Sequence, residues 1–377
     1  MPIEKITGVV KDYAWGTVGG IDRVRGLPPG DSIQAEWWLG DHPQGCAQIA
    51  VTSEPLDSWL SQFGSEGLGF LLKVLTPSTP LSLQVHPTSA EAEAGFAAEE
   101  AAGIAVDDPR RLFPDRSAKP EVVVALGGEF DALAGNASDN EVLAILDTLE
   151  AYGYPSQWAA KWREKLAGSR AEAVSWLLSG EDGAAEAVLA LSDVAGSSEL
   201  LALLWSHYPG DPGVAVALML NRVVLAPGEA LYVAAGQPHA YLSGVAVELM
   251  AASDNVLRGG LTAKHVDVER LIDVASFEPS PVPILDPVVR GLGWLEYRPQ
   301  GESFTLHRMS LGLSDPRVDY LLPTPAVIAS VSHGGVVSVG GAVTEFAPGE
   351  AAVVHDETGS VEMSVLPGSS LWIAHRR

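Results

Sequence analysis

Apolar and polar positions along the chain fall into three textures. Up to about residue 135, short apolar runs are broken by Gly and Pro, and residues 70–74, 81–85 and 121–126 read as strands. Within this stretch, residues 89–105 are rich in Ala and Glu and open on Ser89 with Glu91 and Glu93 behind it, which predicts a capped helix over the sheet. From about Asp139 to Trp205 apolar residues recur at helical spacing (Val142, Leu143, Ile145, Leu146, Leu149), predicting a helical insertion. From Asn221 strand texture returns and runs to the C-terminus, interrupted by a helical piece near 266–274.

One pattern repeats. Leu225-Ala226-Pro227-Gly228-Glu229-Ala230 is echoed by Phe346-Ala347-Pro348-Gly349-Glu350-Ala351, each leading into an apolar strand. Pro-Gly makes a turn because Pro presets φ and Gly accepts positive φ. Such turns before strands are common in double-stranded β-helix barrels of the cupin type. The expected architecture is therefore mainly β: two cupin-type jelly-roll barrels with an α-helical insertion. The second copy lacks a following Pro-His and is expected to be a barrel without metal.

Composition narrows the partners. A chain of 377 residues exceeds what one core usually serves, so two or three units are expected. Acidic residues number 48 against 23 Lys plus Arg, a net charge of −25, and no basic cluster offsets it, which argues against nucleic acid and anionic membrane as partners. Isolated lysines inside apolar runs, such as Lys73, become notable against that field. The single Cys46 excludes an internal disulfide framework, and neither a membrane-length apolar run nor a secretory signal is visible. A cytoplasmic protein, monomeric or weakly oligomeric, is expected.

Three segments carry candidate chemistry. Gln84 and His86 lie two apart at a strand end and share a face, as do Lys119 and Glu121 in an extended Lys-Pro-Glu. Ser82 alternates with Gln84 and joins its face. In the third segment, Ser243-Gly244 reads as a two-residue hairpin turn, so that His239 opposes Glu248 and Tyr241 opposes Ala246. Two histidines, a carboxylate and an amide oxygen suit zinc, with iron or manganese as alternatives, and thiolate ligands are lacking. Taken singly, these residues also fit an exposed strand end, a cross-strand pair, a snorkelling Lys73 and an Arg258–Asp254 salt bridge.

The chain resembles the type I mannose-6-phosphate isomerases (phosphomannose isomerases). The matching stretches are Tyr13-Ala14-Trp15-Gly16, Ala35-Glu36-Trp37-Trp38-Leu39-Gly40, Pro80 to Pro87, Lys119-Pro120-Glu121 and the long run from Pro227 to Lys264. The resemblance covers the first three quarters of the chain; the last quarter matches in texture only. It implies a zinc-dependent aldose–ketose isomerase acting on a sugar phosphate, mannose 6-phosphate, with one zinc per chain on Gln84, His86, Glu121 and His239. It further implies catalytic roles for Arg258, Glu248 and Lys119, and substrate contacts at Trp15, Lys73, Ser82, Tyr241 and Lys264. Ala118 stands where family members commonly have His. The resulting division is a discontinuous catalytic barrel (1–135 and 207–285), a helical insertion (136–206) and a C-terminal β domain (286–377). Readings from other classes are a cupin oxygenase and a non-catalytic sugar-binding cupin.

Overall fold

A computed structural model describes residues 3–377. The chain is mainly β, built on four large antiparallel sheets, none of them closed by hydrogen bonding into a ring. A six-stranded sheet runs Ala230–Val233, Glu121–Ala125, Ala246–Ala251, Phe70–Leu75, Glu36–Leu39, Val9–Lys11 in spatial order. Opposite it, a five-stranded sheet runs Leu220–Leu225, Phe130–Asn136, His239–Ser243, Gln84–Val85, Leu257–Arg258.

Alternation explains why the strands of the six-stranded sheet read as continuous apolar runs. Leu72, Val74, Val122, Val124, Val247 and Leu249 point to one face and pack in a single core with Tyr297, Phe304, Val327 and Ala374 of an eight-stranded sheet behind. The alternate positions, Lys73, Glu121 and Glu248, point the other way. Both faces are covered, so period-2 polarity is muted except where a charge is required. The eight-stranded sheet packs in turn on a four-stranded one through Ile328, Val337, Phe346 and Ile373.

The helical insertion leaves after Phe130–Asn136 and returns at Leu220–Leu225, two strands that pair with each other. It therefore extends further than expected, through Gly213–Ala217. Its helices pack on the outer face of the five-stranded sheet, where Leu133, Ala240 and Leu242 meet Leu146, Trp162 and Leu204. Buried Arg170 closes the neck, donating to the carbonyls of Ala137 (2.7 Å) and Met219 (3.1 Å) on the two entering chains. Capping boxes start the two helices after strand ends, Thr88 with Glu91 and Ser138 with Glu141. The first cap is Thr88 rather than Ser89, and its helix ends at Ala101.

The two Pro-Gly turns occupy matching places. Gly228 and Gly349 both have positive φ, and each turn leads into a sheet strand, Ala230–Val233 or Ala351–Val354. Each also docks on the other half: Tyr297 donates to the Gly228 carbonyl, and Arg25 to that of Gly349. The first strand, Ile3–Thr7, pairs with Ala351–Val354 in the eight-stranded sheet, so residues 3–7 join strands of the C-terminal half rather than the six- or five-stranded sheet.

The expected 239–248 hairpin does not form. His239–Ser243 pairs with Phe130–Asn136 and Gln84, while Ala246–Ala251 pairs with Phe70–Leu75 and Glu121–Ala125 in the opposite sheet. Gly244, at φ 116°, turns the corner between sheets against the backbone of Glu129 and Phe130, a space closed to any Cβ. His239 is therefore the cross-strand neighbour of Gln84, and Glu248 that of Lys73.

Candidate metal centre

Between the two facing sheets lies a cavity of about 880 Å³, lined among others by Trp15, Glu36, Lys73, Ser82, Gln84, Lys119, Arg258 and Lys264. Behind Gln84 and Lys119 of this lining, and not themselves part of it, His86 and Glu121 come within 3.1 Å (Nε2 to Oε1), and His239 and Glu121 within 3.6 Å (Nε2 to Oε2). All three are buried. Glu121 reaches this point from the six-stranded sheet, and both histidines from the five-stranded side. Gln84 lies beside His239 by register and bonds Ser82 at 3.2 Å.

Hydrogen bonds fix the imidazole tautomers. His86 Nδ1 lies 2.7 Å from the Asn255 carbonyl, and His239 Nδ1 3.1 Å from that of Gln237. A carbonyl only accepts, so both Nδ1 atoms carry the proton and both Nε2 atoms present lone pairs. Those lone pairs face the Glu121 carboxylate, and His86 Nε2 is a buried nitrogen with no hydrogen-bond partner. Burial, together with Lys119, lowers the His86 pKa to about 4, and burial lowers that of His239 as well. Two neutral imidazoles and a carboxylate, donor atoms within 4.8 Å of one another, fit a divalent cation. The outer shell is equally ordered. Asn255 is anchored through its amide to the carbonyls of Asp115 (2.9 Å) and Ser117 (2.7 Å), which aims its own carbonyl at His86.

A second charge cluster sits beside the first. Lys73 Nζ lies 2.8 Å from Glu248 and 3.8 Å from Glu36, all three buried. Burial opposes the Lys73 ammonium, but Glu248, Glu36 and Glu121 outweigh it and raise its pKa. Burial pushes the Glu248 carboxyl up to about 7 despite Lys73. Tyr241 donates to Glu121 at 3.1 Å, which joins the clusters, and it lies outside the cavity lining. Lys119 pairs with Glu121 at 3.0 Å.

The family described as phosphomannose isomerase type I, catalytic domain, matches over residues 3–137. The chain is 32% identical to the mannose-6-phosphate isomerase of Escherichia coli over 93% of its own length and 94% of the relative's. The human mannose-6-phosphate isomerase is 33% identical over 72% of each chain. The chain belongs to the type I phosphomannose isomerase family. Its fold agrees: a crystal structure of mannose 6-phosphate isomerase bound with zinc and yttrium superposes with a TM-score of 0.88, at 29% identity, over the full length of both chains.

For a phosphomannose isomerase-type cavity, the unpaired cations are informative. Lys73, Lys119 and Arg111 all have carboxylate partners. Arg258 and Lys264 have none among the described residues, and Arg258 adds to burial in lowering the Lys264 pKa. Arg258 is not bridged to Asp254. Asp254 is held instead by Gln44 (2.8 Å) and His42 (3.4 Å), two cavity residues that sequence reasoning missed. Their signal was available: Asp41-His42-Pro43 follows directly on the Ala35–Gly40 run. No helix of the described residues is long and apolar enough to cross a membrane.

Proposed function

We propose that the chain interconverts mannose 6-phosphate and fructose 6-phosphate, with one zinc ion per chain held by Gln84, His86, Glu121 and His239. The observation that carries this is the convergence of two imidazole lone pairs on a buried carboxylate, with no proton between them, in a chain of this family. The oxygenase and non-catalytic readings are not favoured by these relatives. Bound zinc supplies Lewis acidity that lowers the cost of negative charge on a substrate oxygen.

The remaining roles belong to side chains. Aldose–ketose isomerisation takes the proton from C2 of mannose 6-phosphate and returns one to C1 through an enediol. Lys119 is our choice of proton carrier, because it lines the cavity whereas Glu248 lies beneath it, bound to Lys73. Glu248 and Glu36 orient Lys73, which removes it from the phosphate ligands. Arg258 and Lys264, without carboxylate partners, would take the phosphate, with Ser82 beside them and Trp15 walling the sugar. Tyr241 orients Glu121 rather than touching substrate. The two sheet pairs are taken as jelly-roll sandwiches of the cupin type, the second without metal. We place the enzyme in the cytoplasm as a monomer or weak oligomer.

The test is a coupled isomerase assay on metal-stripped protein. Activity should vanish on chelation, return with zinc, and be accompanied by solvent deuterium at C1 of the fructose 6-phosphate formed, or at C2 of mannose 6-phosphate when the reaction is run in reverse. Full activity after complete chelation refutes the metal role.

A further inference from the structure

The backbone after Arg258 is unusual for its sequence. Gly259, Gly260 and Leu261 carry the chain from the strand Leu257–Arg258 toward Lys264, and Leu261 sits at φ 54°. A leucine stays in the left-handed region only where its surroundings over-determine it. Here the surroundings are the end of the helical insertion.

Asp211 Oδ1 accepts the N–H of Leu261 at 3.0 Å and that of Gly213 at 2.7 Å, while Oδ2 accepts the N–H of Thr262 at 3.0 Å. Thr262 Oγ1 then accepts the N–H of Lys264 at 3.1 Å, which passes the register on to that lysine. Two glycines close the contact. A Cβ on Gly213 would lie 2.5 Å from the Leu261 nitrogen, and one on Gly260 would run into the Gly213 backbone. The same end of the insertion grips the neighbouring segment, where Tyr208 donates to the Pro80 carbonyl at 2.6 Å. Leu83 and the glycine loop exchange backbone bonds, Leu83 N–H to the Gly260 carbonyl and Gly259 N–H to that of Leu83.

We propose that Asp211 is a positioning residue for substrate phosphate: it locks the loop 258–264 so that Arg258 and Lys264 face the cavity together, and the helical insertion serves as its rigid mount. This rests on the reading of Arg258 and Lys264 as the phosphate-holding cations. Asp211 touches no substrate; it acts through the backbone of Leu261 and Thr262. Of the six cavity-lining positions between Arg258 and His265, two, Leu261 and Thr262, bond Asp211 directly, and Lys264 is tied to it through Thr262.

The experiment compares zinc-loaded wild-type, Asp211→Ala, Asp211→Asn and Gly213→Ala enzymes for kcat and KM with mannose 6-phosphate, inhibition by inorganic phosphate, and zinc content. Asp211→Ala should raise KM and the phosphate inhibition constant in parallel, by about tenfold or more. It should leave kcat within about threefold and zinc at one per chain. Asp211→Asn keeps one acceptor oxygen and should fall between, and Gly213→Ala should repeat the Asp211→Ala pattern. A lowered Tm with unchanged phosphate inhibition overturns the proposal, because a merely structural role moves the first and not the second. Should Asp211→Ala fail to fold, Asp211→Asn and Gly213→Ala decide. Arg258→Ala and Lys264→Ala run alongside. If neither weakens phosphate inhibition, the phosphate assignment itself fails; if they do and the Asp211 and Gly213 variants do not, only the positioning role fails.

Discussion

Replacing Arg170 by methionine tests how the helical insertion is held to the β framework. The guanidinium is almost fully buried and donates to two main-chain carbonyls, Met219 at 3.1 Å and Ala137 at 2.7 Å, one on each chain crossing the neck. Methionine keeps the apolar stem and its packing but leaves both carbonyls without that donor. Hydrogen bonds to a charged group contribute ~1.5–3 kcal/mol each. The third contact, to Asp139 at 2.6 Å, adds little, because that carboxylate is more than half exposed. The expected loss is therefore about 3–6 kcal/mol, a large fraction of the stability of a typical domain. Urea unfolding followed by tryptophan fluorescence reports it directly, since Trp158, Trp162, Trp176 and Trp205 all lie in or against the insertion core. Arg170→Lys should lose about half as much, because one ammonium does not span both carbonyls in the fixed fork of an arginine. A shift below about 1 kcal/mol in Arg170→Met would refute the neck as the fastening point.

Further outcomes concern pH, metal and chain path. Burial, with His375 beside it, lowers the His307 pKa to about 3, so the folded chain keeps this ring neutral while the unfolded chain protonates near 6.5. Its contribution is complete above about pH 6.5 and is lost as pH falls toward 3, costing ~2 kcal/mol between pH 7.5 and 5. Urea midpoints at the two pH values should show that loss, and His307→Gln should flatten it; an unchanged slope would mean the ring is not what titrates. Glu121→Gln removes the carboxylate that faces both imidazoles and should bring zinc content after dialysis well below one per chain, whereas one retained equivalent would exclude Glu121 as a ligand. Gly244→Ala should destabilise by about 2 kcal/mol or more, since its φ is positive and a Cβ would sit 2.5 Å from the Glu129 carbonyl. Wild-type stability in that variant, measured by thermal melting, would show that the corner relaxes freely.

Much of the site was legible because strand alternation is a local rule. Lys73 in an apolar run, Glu121 two residues after Lys119, and Gln84 with His86 all fall where a two-residue period places them. The path of the chain between sheets was not legible. Ser243-Gly244 has the chemistry of a hairpin turn, and alternation on either side looks the same whether the strands pair or face each other across a cavity. The cost was specific. Glu248 was set beside His239, and Glu121 rested on resemblance, whereas Glu121 is the carboxylate that meets both histidines and Glu248 partners Lys73. Asp211 carries no signal of its own either: its partners in the 258–264 loop lie 50 and 51 residues away, and an aspartate before Pro-Gly reads as an ordinary turn.

The pairing of Ile3–Thr7 with Ala351–Val354 has a consequence for how the polypeptide is made. On the ribosome Ile3–Thr7 emerges ahead of its long partner, which follows some 350 residues later, roughly 20–70 s at bacterial and eukaryotic elongation speeds. Until then only the two-residue strand Gln48–Ile49 is available to cover one of its edges. The last quarter of the chain thus acts as a clasp that closes over the beginning. Nascent chains truncated before residue 351 should leave the first residues open to a protease that full-length protein resists.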